Sequence, residues 1–217
     1  MQCNLSECAV NNMRNILLTG ATGFLGAHLL KDLLINTDAD IYCIVRGSSA
    51  ANARTRLKKV LDFHFPGQLS DEIGKRIKIV HGDITFEMWG LSVKKYDQLQ
   101  KIIDTVFHTA AKVSHYGSYS EFEKVNVLAT QNIVDFCLNN DKMLHYISSI
   151  SVSGIYLVNQ EKENPKFSEN DFYIGQHYYD NVYVRSKFEA ENLILKAMQL
   201  GLRAAIYRLG VLSGRYS

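Results

Sequence analysis

Tyr183 and Lys187 stand four residues apart in the stretch "YVRSK". On a helix that spacing puts both side chains on one face. A free tyrosine has a pKa of about 10, too high for acid–base work near neutrality. A neighbouring ammonium favours the phenolate and corrects this. Ser149, in "YISSISVSG", supplies a third group. A serine and a tyrosine hydroxyl aimed at one point polarise a carbonyl oxygen. Ser148 and Ser151 compete for that place. On a strand Ser148 faces away from Ser149, whereas Ser151 shares its face. Ser149, Tyr183 and Lys187 are the candidate catalytic set.

Gly20, Gly23 and Gly26 recur at G-x-x-G-x-x-G spacing in "NILLTGATGFLGAHLL". They follow an apolar run and precede a Leu-rich helical pattern. In a dinucleotide-binding fold the first glycine permits a sharp turn, the second lets a pyrophosphate approach, and the third packs the helix against the sheet. Free backbone N–H groups and the helix dipole then hold the phosphates. The second apolar run ends in "VRG", so Arg46 falls about 20 residues on, where this fold contacts the adenosine ribose. An acidic residue there suits NAD. An arginine suits the 2′-phosphate of NADPH through a charge-assisted fork. Arg56 either adds a second contact or is a solvated neighbour of Arg54, Lys58 and Lys59. In "HGDIT", Asp83 is placed to accept from an adenine amino group, and in "HTAA" small Ala110 and Ala111 let a nucleotide lie close.

These groups need a scaffold that brings strand ends together. "NILLTG", "DIYCIVRG", "RIKIVHGD", "TVFHTAA", "MLHYISSISVSG" and "RAAIYRLG" read as strands. "GFLGAHLLKDLLIN", "ANARTRLKKVLDFHF", "SEFEKVNVLATQNIVDFCL" and "VYVRSKFEAENLILKAMQLG" read as helices. In the first helix Leu25, Leu29, Leu30, Leu33 and Leu34 share a face. The alternation predicts an α/β fold, a doubly wound parallel sheet of Rossmann type. Residues 156–180 fit neither period, and so long a connection is functional or mobile.

Composition narrows the classes. With 217 residues, 47% of them hydrophobic, the chain suits one domain. A net charge of +2 gives no field for nucleic acid. Cys3, Cys8, Cys43 and Cys137 form no metal-binding pattern. There is no secretory signal and no apolar run long enough to span a membrane, so a cytoplasmic location is expected. His108 reads as structural, His115 as close to substrate but without a role, and Trp89 and the Tyr178–Tyr179 pair as packing.

"TGATGFLG", "ISSIS" and "YVRSK" resemble the extended short-chain dehydrogenase/reductase superfamily. More narrowly, "GATGFLGAHLL", "IYCIVRG", "RLKKVL", "VFHTAAKVSHYGSYSEFEKVNVLAT", "FSENDFYIGQ" and "YVRSKFEAENL" resemble thioester reductases, the terminal reductase domains of nonribosomal peptide synthetases and their relatives in carboxylic acid reductases. That resemblance implies NADPH-dependent reduction of an acyl or peptidyl thioester, held on the phosphopantetheine arm of a carrier domain, to an aldehyde or alcohol. It implies that Ser149 and Tyr183 bind the oxyanion, that Tyr183 gives the proton, and that Lys187 holds the nicotinamide ribose and tunes Tyr183. Asn126 would support the site from behind, and Thr22, Phe24, Leu25, Ile84, Lys112, Gly210 and Val211 complete the residues expected along the cofactor. No metal is expected.

Relatives continue beyond "YRLGVLSGRYS". The expectation is therefore a linker at 1–13 and a monomeric cofactor domain at 14–217, with most of the substrate subdomain absent. Two alternatives remain: an NAD-dependent sugar epimerase or dehydratase with the same three catalytic residues, and a non-catalytic dinucleotide-binding module.

Overall fold

The computed structural model describes residues 13–114, 116–154 and 166–212. Residues 1–12 of the expected linker, His115 and residues 156–165 of the expected connection lie outside the described residues. Elements alternate in chain order: β1 (Asn15–Thr19), α1 (Phe24–Asn36), β2 (Asp40–Val45), α2 (Ala50–His64), β3 (Ile77–His81), α3 (Val93–Ile102), β4 (Thr105–His108), α4 (Tyr119–Phe122), α5 (Ala129–Asn139), β5 (Met143–Ser149), α6 (Val182–Gln199) and β6 (Ala204–Leu209).

All strand pairs are parallel, in the order β3-β2-β1-β4-β5-β6. This is the doubly wound Rossmann order, whose direction reverses between β1 and β4. Both faces are covered, so the central strands are apolar throughout. Ile16 and Leu18 pack with α1 and α2 on one face. Leu17, Val106, Leu144 and Tyr146 pack with α3, α5 and α6 on the other.

Four local features differ from the sequence reading. Helix α3 was not legible, because "VKKYDQLQKI" buries only Leu99 fully. The long helix expected around residues 120–138 contains a π-helical stretch, Glu123–Leu128, between α4 and α5. Strand β5 stops at Ser149 and passes into a 3-10 turn, Ile150–Ser153, so Ser151 sits on that turn and not on the strand. Helix α1 buries Leu30, Leu33 and Leu34, but Leu25 and Leu29 are only half-buried. Leu25 instead lines a cavity.

Candidate active site

At the β1/β4 reversal the chain turns through Gly20 at φ +77°, a conformation that favours glycine. A Cβ on Gly20 would lie 2.7 Å from the Ala110 backbone nitrogen, and one on Gly26 2.6 Å from the Gly20 carbonyl carbon. Both positions are closed to side chains. A Cβ on Gly23 would meet only the Gly20 oxygen, at 3.3 Å. Gly23 caps α1 without a side-chain hydrogen bond, and the first turn of α1 holds no acidic residue. Its N–H groups therefore face the groove uncapped, which suits phosphate.

Two adjoining cavities, of about 310 and 620 Å³, share Gly20, Gly23, Thr109 and Ala111 and form one groove along the carboxyl edge of the sheet. The smaller end is lined by Thr22, Arg46, Arg56, Asp83, Ile84 and Ala110. Arg46 and Arg56 are exposed, and Arg56 reaches back to donate to the Arg46 carbonyl. The two guanidinium-bearing residues thus meet at one end of the groove. His81 donates through Nε2 to the Gly47 carbonyl (2.7 Å), fixing the turn after Arg46. Asp83 accepts from the Thr85 N–H (3.0 Å) through Oδ1. Asn132 donates to the Ile84 carbonyl (2.8 Å) and holds that loop from α5.

The larger end is lined by Phe24, Leu25, Gly26, Ser149, Tyr183, Lys187, Gly210 and Val211. Asn181 caps α6, accepting from the N–H groups of Tyr183 (2.9 Å) and Val184 (3.1 Å), and so sets where Tyr183 emerges. Ser149 accepts from the Ser151 N–H (3.2 Å) and donates to the Ser151 hydroxyl (3.0 Å). Burial raises the Tyr183 pKa, and a hydrogen bond with Ser149 opposes that rise. The phenol is therefore a proton donor at neutral pH. Lys187 is 3% exposed. Its ammonium donates to the Ile147 carbonyl (2.6 Å) and lies 4.3 Å from the Tyr146 ring centroid. Burial lowers its pKa to about 7, with the Glu191 charge pulling the other way. The tuning of Tyr183 expected of Lys187 has no counterpart here, since the ammonium is turned to Ile147 and the group acting on the phenol is Ser149.

Two expected cofactor residues act from outside the groove lining. Asn126 is buried and wholly committed to the protein. It accepts from the Lys112 N–H (2.7 Å) and donates to the Lys112 carbonyl (3.0 Å) and the Ser186 hydroxyl (2.8 Å). It braces the chain after β4 against α6, as a support and not a contact. The Lys112 side chain is paired with Glu121.

His108 belongs to the same brace. The Thr130 hydroxyl donates to the Asn126 carbonyl (2.6 Å), so it accepts from His108 Nε2–H (3.0 Å). Nδ1 is then the acceptor for the Thr19 hydroxyl (2.7 Å). Burial, with a smaller effect from Lys187, lowers the His108 pKa to about 3, which keeps the ring neutral. Thr19, Thr109, Thr130 and Asn132 were missed in the sequence because single polar residues at strand ends and on helices carry no spacing signal. Asn181 was readable as an N-cap residue directly before a helix.

The glycine cradle and the uncapped helix start fit a dinucleotide, and two arginines stand at one end of the groove. Residues 18–217 match the protein family described as "Male sterility protein", an NAD-binding family. The chain belongs to that family. It is 37% identical over 200 residues to a linear gramicidin synthase from Brevibacillus parabrevis, covering 91% of this chain and 4% of that protein. It is 33% identical to the large subunit of L-2-aminoadipate reductase from Eremothecium gossypii, covering 92% and 15%. Among solved structures, the terminal R domain from the myxalamid PKS-NRPS pathway superposes with a TM-score of 0.79 at 34% identity, covering 91% of this chain and 49% of that one. A thiolation-reductase di-domain from an archaeal non-ribosomal peptide synthetase gives 0.78 at 35%, covering 92% and 42%. The chain therefore spans about half of those structures and a small part of the curated relatives. A UDP-glucuronic acid 4-epimerase from Bacillus cereus, at 24% identity and a TM-score of 0.65, shares the fold alone. The family binds a nicotinamide dinucleotide. Among the described residues no helix is long and apolar enough to cross a membrane, and no cluster is suited to a metal ion.

Proposed function

We propose that this chain is the cofactor-binding part of an NADPH-dependent thioester reductase, which releases an acyl or peptidyl group from a carrier domain as an aldehyde. The observation that carries this reading is the meeting, in one groove, of Ser149, Tyr183 and Lys187 at one end with Arg46 and Arg56 at the other. The relatives named above are synthetases and reductases, which supports a carrier-bound substrate.

The bound cofactor supplies hydride to the thioester carbonyl. Every other part is the protein's. Ser149 and Tyr183 hydrogen-bond the carbonyl oxygen as negative charge develops there. Tyr183, neutral at physiological pH, gives its proton to that oxygen, and the resulting hemithioacetal breaks its C–S bond to leave the aldehyde and the free carrier thiol. Lys187 holds the ribose hydroxyls. Arg46 and Arg56 pair with the 2′-phosphate. Phe24, Leu25 and Val211 give the substrate end its apolar wall.

The test supplies an acyl-pantetheine thioester and NADPH, and follows loss of the reduced-nicotinamide absorbance while trapping aldehyde. Tyr183→Phe is expected to bind NADPH nearly normally and to lose roughly 100- to 10,000-fold in reduction. Full activity in that variant, or release of free acid with no NADPH consumed, would overturn the reading.

A further inference from the structure

Below Lys187 the interior holds two more charged groups that the proposed chemistry does not use. Glu191 is 0% exposed, on α6 one turn beyond Lys187 and two beyond Tyr183. The three share one stripe of the helix. Glu191 is gripped from β6 by Arg208, whose Nε donates to both carboxylate oxygens at 3.2 Å and whose terminal nitrogen donates at 2.9 Å. Arg208 also donates to the Ser168 carbonyl (3.1 Å) and lies over the Phe167 ring at 4.9 Å. The pair thus ties α6, β6 and the 166–171 segment together.

A carboxylate and a guanidinium buried in this way are poor sources of stability, because desolvation offsets their attraction. Packing alone would be served by apolar side chains. The groups facing Lys187 are Glu191 on its own helix, Tyr146 on β5, His108 on β4 and, behind Glu191, Arg208 on β6. His108 is neutral, Tyr146 is a buried neutral phenol, and Arg208 is itself positive. Glu191 is the anion in that surrounding.

We infer that Glu191, held in place by Arg208, is a positioning residue that keeps Lys187 protonated to higher pH than its burial alone would allow and so keeps the nicotinamide end of the groove competent. This deepens the reading above and rests on its assignment of Lys187. The sign follows from burial. Desolvation drives the Lys187 proton off and brings its pKa down to about 7, and the Glu191 charge holds it on. Without Glu191 the proton leaves at lower pH, and Lys187 becomes a neutral amine in the physiological range.

The experiment is a pH titration of lysine side chains labelled with carbon-13 at Cε, with Lys187 assigned by Lys187→Arg. NADPH affinity is followed across the same pH range. In Glu191→Gln the Lys187 midpoint is expected to fall by about one pH unit or more, and the alkaline loss of NADPH affinity to fall with it. If Glu191→Gln does not fold, the double variant Glu191→Gln, Arg208→Gln leaves no lone buried charge and decides instead, with a smaller shift in the same direction. An unchanged Lys187 midpoint in whichever variant folds overturns the inference. The titration needs no thioester. A shifted midpoint in a protein that does not reduce thioesters would therefore refute the reductase reading and leave the Glu191 effect standing, and the converse would do the opposite.

Discussion

Two buried bases give the residue scale its clearest consequences. His108 has a folded pKa of about 3 against an unfolded value of about 6.5. Between those values the unfolded chain binds more protons, so stability is fully present above about pH 6.5 and is lost as pH falls toward 3. A thermal melt series should show His108→Gln with a flatter acid limb than wild type. Lys187 has a folded pKa of about 7 against about 10.4 unfolded. Its burial costs most below pH 7, and the cost shrinks as pH rises from 7 toward 10.4. Lys187→Met should therefore gain stability relative to wild type at pH 6 and lose that advantage by pH 10, even as it loses NADPH affinity. Equal melting differences at both pH values would contradict the placement of a lysine 3% exposed in this interior. The sequence showed Ser149, Tyr183 and Lys187 through type and spacing. It did not show Glu191 or Arg208, because their meaning comes from a β6–α6 contact between residues 17 apart. It also led to tuning of Tyr183 by Lys187, where the fold turns the ammonium to Ile147.

At the scale of elements, the groove depends on how two helices begin. Helix α1 starts at Gly23 with uncapped N–H groups, and α6 starts at Asn181 with two capped ones. Gly26→Ala would press a methyl group against Gly20 and Thr109, so the turn and α1 must separate. The expected result is loss of most cofactor affinity with destabilisation of about 1–3 kcal/mol, read by calorimetry and denaturant melts. Asn181→Ala removes a cap and should cost about 0.5–2 kcal/mol, with a drop in turnover larger than the drop in NADPH affinity, because Tyr183 is the first side chain the cap positions. Strands and amphipathic helices were legible because buried parallel strands are apolar throughout and α1, α5 and α6 carry a clear stripe. Helix α3 was not, since it buries one leucine. Nor was the π-helical stretch, since an extra residue in a turn leaves the apolar pattern nearly intact.

Across the whole molecule, one sheet edge carries the entire groove. β1 and β4 supply the cradle, β2 and β3 the arginine end, and β5 and β6 the reacting end. A ligand that bridges all six strand ends should stabilise the folded state as a unit. At a hundredfold excess over its dissociation constant, NADPH is expected to raise the melting temperature by about 5–10 °C. The fold class and strand order were within reach of the sequence because alternation and connection rules leave few topologies. Whether Arg56 joins Arg46 at the groove was not, since Arg56 also read as a surface residue until its contact with the Arg46 carbonyl joined the two. The most direct test of NADPH binding in this groove is therefore a calorimetric titration with NADPH and NADH, in wild type and in Arg46→Ala. NADPH is expected to bind tighter than NADH, by roughly 10- to 100-fold, and Arg46→Ala to lose that preference. Equal affinities in wild type, or tighter binding of NADH, would contradict that expectation.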